Sequence, residues 1–162
     1  MNIHFKQIEI KDKNIVLGLF KKAAERIDRM DIDHWQYWKN PPLEKIKWVE
    51  EGIINKEFFF IEDSHRENLG MVRILDEDLP YWGKQTDKAK YIHSLVVGEK
   101  HNGKGIGNKT IEKIERYAKT QNCKYLRLDA DSKNPKLCAY YEKMGFKKNR
   151  NKRIAIIGLQ SL

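Results

Sequence analysis

A chain of 162 residues, 40% apolar and 34% charged, is long enough to fold around one core and is expected to form a single domain over residues 1–162. No window reaches the uninterrupted apolar length of a membrane span, and the opening MNIHFKQIEIKDK alternates apolar with charged residues and so lacks a signal-peptide core. Lysine and arginine outnumber aspartate and glutamate 32 to 23, a formal +9 that predicts an anionic partner: nucleic acid, a membrane surface or a phosphorylated cofactor.

In chain order, residues 3–9 alternate as a strand, and Ile15, Leu19, Ala23, Ile27 and Met30 then recur at helical spacing over 14–30. HWQYWKNPP breaks the chain. A second amphipathic helix follows, with Leu43, Ile46, Val49 and Ile53 on one face. EFFFIED and LGMVRIL form a hairpin across the polar turn DSHREN, and EDLPYWGK reads as the loop before the strand YIHSLVV. On that strand, alternation puts Tyr91, His93, Leu95 and Val97 on one face. After a glycine-rich loop, Gly107, Ile111, Ile114 and Ala118 mark a third helix, supported on its outer face by Glu112–Arg116 and Glu115–Lys119. KYLRLDA is a strand, Asn134-Pro135 opens a helix closed by Gly145, and RIAIIGL is the last strand. The order β-α-α-β-β-β-α-β-α-β-β predicts a mixed α/β domain around one central sheet.

The loop holds Gly103, Gly105 and Gly107 directly between a strand and a helix. Backbone N–H groups there face outward at the positive end of the helix dipole, which suits an anion. The sequence is neither a phosphate-binding Gly-Lys-Ser/Thr loop nor a G-x-G-x-x-G dinucleotide fingerprint, so a close-packed turn is the other reading of the residues alone. Cys123 and Cys138 lack metal-ligand spacing, no metal is expected, and reduced thiols without a leader place the protein in the cytoplasm. The basic run KKNRNKR from Lys147 to Arg153 is the main cluster of charge.

Two motifs in order resemble those of the GNAT N-acetyltransferases. LVVGEKHNGKGIGNKTI resembles the family's acyl-CoA motif, Arg/Gln-x-x-Gly-x-Gly/Ala after a strand, with Asn102 at the Arg/Gln position. NPKLCAYYEKMGF resembles its second signature, an asparagine followed seven residues later by tyrosine and then Glu-Lys-x-Gly-Phe. The resemblance implies an acyl-CoA N-acyltransferase fold, its central mixed sheet splayed between the fourth and fifth strands with helices on both faces. Acetyl-CoA would be the co-substrate. Backbone groups of Leu95, Val96 and Val97 would hold the pantetheine arm and polarise the thioester. Asn102, Gly103, Lys104, Gly105, Ile106, Gly107 and Asn108 would wrap the pyrophosphate, and Asn134 would bond the cofactor arm or simply cap its helix.

Tyr141 matches the family's tyrosine that protonates the departing thiolate; packing is its other reading, since Leu137, Tyr141 and Met144 form one stripe. His93 resembles the histidine that takes the acceptor's proton in the arylalkylamine branch, against the alternative of a buried structural imidazole. Trp35, Tyr37 and Trp38 would form an aromatic wall for a cationic amine, or else pin the first two helices to the sheet. The implied activity is direct acetyl transfer to a small-molecule or peptide amine in a ternary complex. A non-catalytic acyl-CoA- or nucleic-acid-binding module keeping the fold is the alternative. Nucleic acid and membrane are not the expected partners, and a homodimer is compatible with the late strands.

Overall fold

The computed structural model describes residues 1–149 and 155–158, with backbone alone for 149 and 155–158. Most of the basic run Lys147 to Arg153 and the ends of the last expected strand lie outside the described residues. The strands are β1 (His4–Gln7), β2 (Phe58–Glu62), β3 (Asn68–Leu75), β4 (Ala89–Val97), β5 (Tyr125–Ala130), β6 (Lys147–Asn149) and β7 (Ala155–Gly158). The helices are α1 (Lys13–Arg29), α2 (Leu43–Ile54), α3 (Leu79–Trp82), α4 (Ile106–Thr120) and α5 (Pro135–Lys143). Short 3₁₀ turns at Ile10–Asp12, Gln36–Lys39 and Glu99–His101 complete the chain order. Among the described residues no helix is long and apolar enough to cross a membrane. The expected elements are present, with one addition: the segment read as a loop before β4 carries the helical turn α3.

The chain forms two compact units, neither of them continuous in sequence. The first comprises Met1–Arg73 and Ser94–Gly107. Here β1 pairs antiparallel with β2 and β2 with β3, and the strand order runs β1-β2-β3-β4. The buried stripe of α1 is Val16, Phe20, Ala23 and Ala24 and not the expected face, of which Ile15 and Met30 are exposed, while α2 buries Val49, Gly52 and Ile53 and leaves the expected Leu43 exposed. Phe20 is the centre of this core. It stacks on Trp38 at 4.0 Å with planes 8° apart, and meets Trp35 and Phe58 edge-on. Two glycines serve close approaches in this unit. A Cβ on Gly52 would lie 2.8 Å from the Arg73 guanidinium, which is stacked over Trp48 and bonded to Glu57. A Cβ on Gly70 would lie 2.1 Å from the carbonyl oxygen of Val96, so only glycine lets β3 pass the end of β4.

The second unit comprises Ile74–His93 and Asn108–Leu162, with strand order β4-β5-β7-β6. β4 and β5 are parallel, from Ala89↔Tyr125 to Ile92↔Leu128, and β5 pairs antiparallel with β7. The β4–β5 ladder stops there, although β4 runs on to Val97 and β5 to Ala130. On α4 Ile111, Ile114 and Ala118 are buried as their spacing predicts, and the Glu115–Lys119 pair closes at 2.9 Å.

One expectation about β4 fails. Strict alternation from Tyr91 to Val97 is broken at Ser94, whose φ of +50° is left-handed, and burial changes from continuous over Ala89–Ile92 to intermittent beyond it. The left-handed residue directly follows His93 and interrupts the extended backbone of the strand. A left-handed serine costs about 1 kcal/mol or more relative to glycine. Ser94→Gly should therefore raise stability by about 1 kcal/mol in chemical denaturation, whereas Ser94→Val should lower it.

Candidate active site

The end of β4 leads into the loop through a fixed turn. Gly98 donates its N–H to the Leu69 carbonyl at 2.8 Å, and the 3₁₀ turn Glu99–His101 follows. Val97 accepts a 3.3 Å bond from Arg26 on its carbonyl, one of the two lone pairs available there. Glu99 is paired with Arg29 at 2.7 Å. Lys100 pairs with Glu67 at 2.5 Å and holds that carboxyl below its ordinary range.

Asn102 is extended, with φ −60° and ψ 148°, and α4 begins at Ile106. Between them Gly103 (φ +72°) and Gly105 (φ +73°) are both left-handed, and a Cβ at either would meet nothing within 4 Å. Conformation demands glycine here, and the surrounding space stays open, as a phosphate cradle at a helix start requires. Ile106 anchors the loop, its side chain 1% exposed, while Lys104 is exposed. Gly105→Ala is expected to cost about 1 kcal/mol of stability in chemical denaturation, because alanine would have to hold the left-handed conformation.

The titratable cluster lies in the second unit. His93 Nε2 is 2.8 Å from Asp78 Oδ2 and 3.1 Å from Asp129 Oδ1, with the Tyr81 ring at 5.1 Å. The ring nitrogen and the two carboxylate oxygens lie within 4.8 Å of one another, a spacing that an imidazole N–H shared between two carboxylates accounts for. Asp78 and Asp129 are functional candidates that the sequence reading missed. Asp78 belongs to the segment read as a loop before β4, and Asp129 to a strand to which no site residue was assigned. The available signal was Asp78 two residues before Pro80, a helix-start pattern.

On α5 Asn134 caps the helix, its Oδ1 accepting the Leu137 N–H at 3.1 Å, so the capping alternative holds; its side-chain amide N–H₂ is not used in that bond. Tyr140 donates its hydroxyl to Asn108 Oδ1 at 2.5 Å, tying α5 to the first turn of α4. Tyr141 is 9% exposed and packs against Phe146 and Tyr140. Burial, then the neighbouring Tyr140, Asp129 and Cys138, pushes its phenol well above the ordinary value of 10. The hydroxyl bonds no other described residue. Cys138 is buried, its thiol directed 3.5 Å to the Asp131 carbonyl and pushed up by burial, the opposite of an activated nucleophile.

The three aromatics of the α1–α2 connection differ in placement. Trp38 is 3% exposed and belongs to the core, stacked on Phe20. Trp35 is left-handed at φ +61° and half-buried against the same ring. Tyr37 alone is exposed, with Lys45 4.7 Å from its ring centre.

The sequence matches the acetyltransferase (GNAT) family over residues 25–146. No curated protein matches in sequence. Among solved structures, a GNAT acetyltransferase from Listeria monocytogenes is 18% identical, with 98% of this chain and 94% of that one covered at a TM-score of 0.77. A chimera of the spermidine N-acetyltransferase SpeG from Vibrio cholerae and hSSAT is 15% identical over 99% and 96% of the two chains, at a TM-score of 0.68. The PaiA N-acetyltransferase from Thermoplasma acidophilum in complex with coenzyme A is 16% identical over 99% of each chain, at 0.66. These neighbours share the fold, a mixed α/β sheet with β4 and β5 parallel. By the reach of the family match, this chain belongs to the GNAT acetyltransferases.

Proposed function

We propose that the protein transfers an acetyl group from acetyl-CoA to the primary amine of a small-molecule or peptide acceptor, by direct attack in a ternary complex. The observation that carries this reading is the pair of open, left-handed glycines just before α4, which supports a phosphate-binding role for the loop although Asn102 stands at the family's Arg/Gln position. Bound acetyl-CoA supplies an activated acyl carbon as a thioester. Loop residues 102–108 and the α4 dipole take the pyrophosphate, with Lys104 adding charge. The Leu95 N–H polarises the acyl oxygen, Val96 and Val97 align the arm by their backbone, and the Asn134 amide bonds it. His93 accepts a proton from the amine as its nitrogen forms the C–N bond. Tyr141 donates its proton to sulfur as the C–S bond breaks. Trp35 and Tyr37 are the aromatics of the connection that retain surface for the acceptor side.

Two buried cysteines free of any disulfide support a reducing compartment, the cytoplasm. Thiol release from acetyl-CoA against a panel of alkylamines, polyamines, amino sugars and peptides tests the reaction. Amine-dependent release supports it. Acetyl-CoA binding with no release across the panel would favour a non-catalytic binding module, and no binding would sink the loop assignment itself.

A further inference from the structure

Asn108 is the third residue of α4 and is exposed on its first turn, where backbone N–H groups have no partner within the helix. Its side-chain amide has two unlike ends, an oxygen that only accepts and a nitrogen that only donates. With the oxygen toward a phosphate the amide would repel the anion. With the nitrogen toward it, the amide adds a donor to those of the backbone. The two ends are almost alike in shape, so packing alone does not choose between them.

The choice is made from α5. Tyr140 and Tyr141 are neighbours on that helix and so point about 100° apart. Tyr141 packs against Phe146, while Tyr140 donates its hydroxyl proton to Asn108 Oδ1 at 2.5 Å. Burial pushes the Tyr140 phenol above its ordinary 10, so it keeps the proton it donates throughout the neutral range. With Oδ1 held by the hydroxyl, Nδ2 and its two protons point away from the tyrosine oxygen.

We propose that Tyr140 is a positioning residue for the cofactor: by holding Oδ1 of Asn108 it fixes the amide so that Nδ2 donates to the pyrophosphate of acetyl-CoA. This rests on the proposed phosphate-binding role of residues 102–108. It also bears on Asn102, which brings a shorter side chain to the position where the family carries Arg or Gln. An oriented amide at the other end of the loop sequence supplies one side-chain donor in return. Tyr140 stands directly before Tyr141, so one helix both orients a phosphate ligand and carries the proposed proton donor.

Two measurements test the assignment. In ¹H–¹⁵N correlation spectra the Asn108 side-chain amide pair, assigned by its loss in Asn108→Asp, should shift when coenzyme A is added, one proton moving downfield as it meets a phosphate oxygen. Calorimetry with coenzyme A should give Tyr140→Phe a Kd about fivefold above that of wild type, the net effect of one hydrogen bond. In an Asn108→Ala background the same substitution should raise Kd no further, because the amide it orients is gone. A bond that only braces α5 against α4 would leave the Asn108 amide signals where they were. Such unmoved signals in wild type saturated with coenzyme A overturn the inference, whether or not the variants fold. So does a folded Tyr140→Phe with wild-type affinity. Wild type that binds no coenzyme A removes the phosphate loop itself and this inference with it, a failure distinct from binding with an unmoved amide.

Discussion

Tyr141→Phe is expected to lower kcat for amine-dependent thiol release about 10³-fold, with the KM for acetyl-CoA and the Tm little changed. The effect should fall on kcat because the hydroxyl is assigned to a step that exists only as the C–S bond breaks. The Tm should hold because the substitution keeps the ring against Phe146 and removes a hydroxyl that bonds no described residue. Burial, reinforced by Tyr140 and Asp129, raises the phenol's ionisation above the ordinary 10, so the donor stays protonated throughout the neutral and mildly alkaline range. The kcat profile should therefore show no alkaline loss traceable to Tyr141 below about pH 10. Stability follows the same shift. Near pH 10 and above, the unfolded chain releases the phenolic proton while the folded one retains it, so this group's contribution is complete below that pH and is lost as pH rises. Wild type should lose stability there faster than Tyr141→Phe, which paired melts at neutral and alkaline pH would measure. A variant that kept wild-type kcat would return Tyr141 to the packing role that its helical stripe also allows.

Arg127→Ala is expected to destabilise the protein by about 3 kcal/mol, with Arg127→Met costing clearly less. Arg127 is 7% exposed and donates to the Tyr91 hydroxyl at 2.9 Å. Its guanidinium lies 4.6 Å from the Tyr125 ring centre, 4.8 Å from that of Trp82 and 5.7 Å from that of Tyr91. Each cation–aromatic contact contributes about 1 kcal/mol when water is largely excluded, and truncation to alanine also leaves a cavity among three large rings. Methionine refills that volume and removes the cost of burying a charge. Denaturant titration of the two variants separates the terms: equal losses would mean that the charge matters more than the packing. Since β5 carries Asp129 two residues further on, a collapsed cage should also disturb the His93 cluster.

What could be read from the sequence was whatever is local. Helical spacing marked α1, α2 and α4; the Asn134-Pro135 pair marked the start of α5; and the glycines marked the loop, because each signal lies within one or two turns of chain. What escaped depends on distance or on strain. The partners of His93 lie fifteen and thirty-six residues away, and no periodicity encodes such a meeting. The left-handed Ser94 escaped because serine carries no left-handed signature, so the strand read as regular. α3 escaped because four residues are too few for a repeating pattern. Trp38 shows a different limit: an aromatic residue in a connection looks alike whether it faces a ligand or, as here, a phenylalanine of the core.

Asp78 holds the N-cap position of α3, yet its side chain caps nothing in that helix and reaches His93 instead. Only Oδ2 meets the imidazole, and no N–H of the helix bonds the carboxylate. Selection for thermal tolerance alone would favour a side chain there that turns back to the helix N–H groups, strengthening α3 and abandoning the imidazole. Position 78 is thus where directed evolution for robustness and for turnover would pull apart, and libraries screened only for survival to heat would be expected to accumulate folded, sluggish protein.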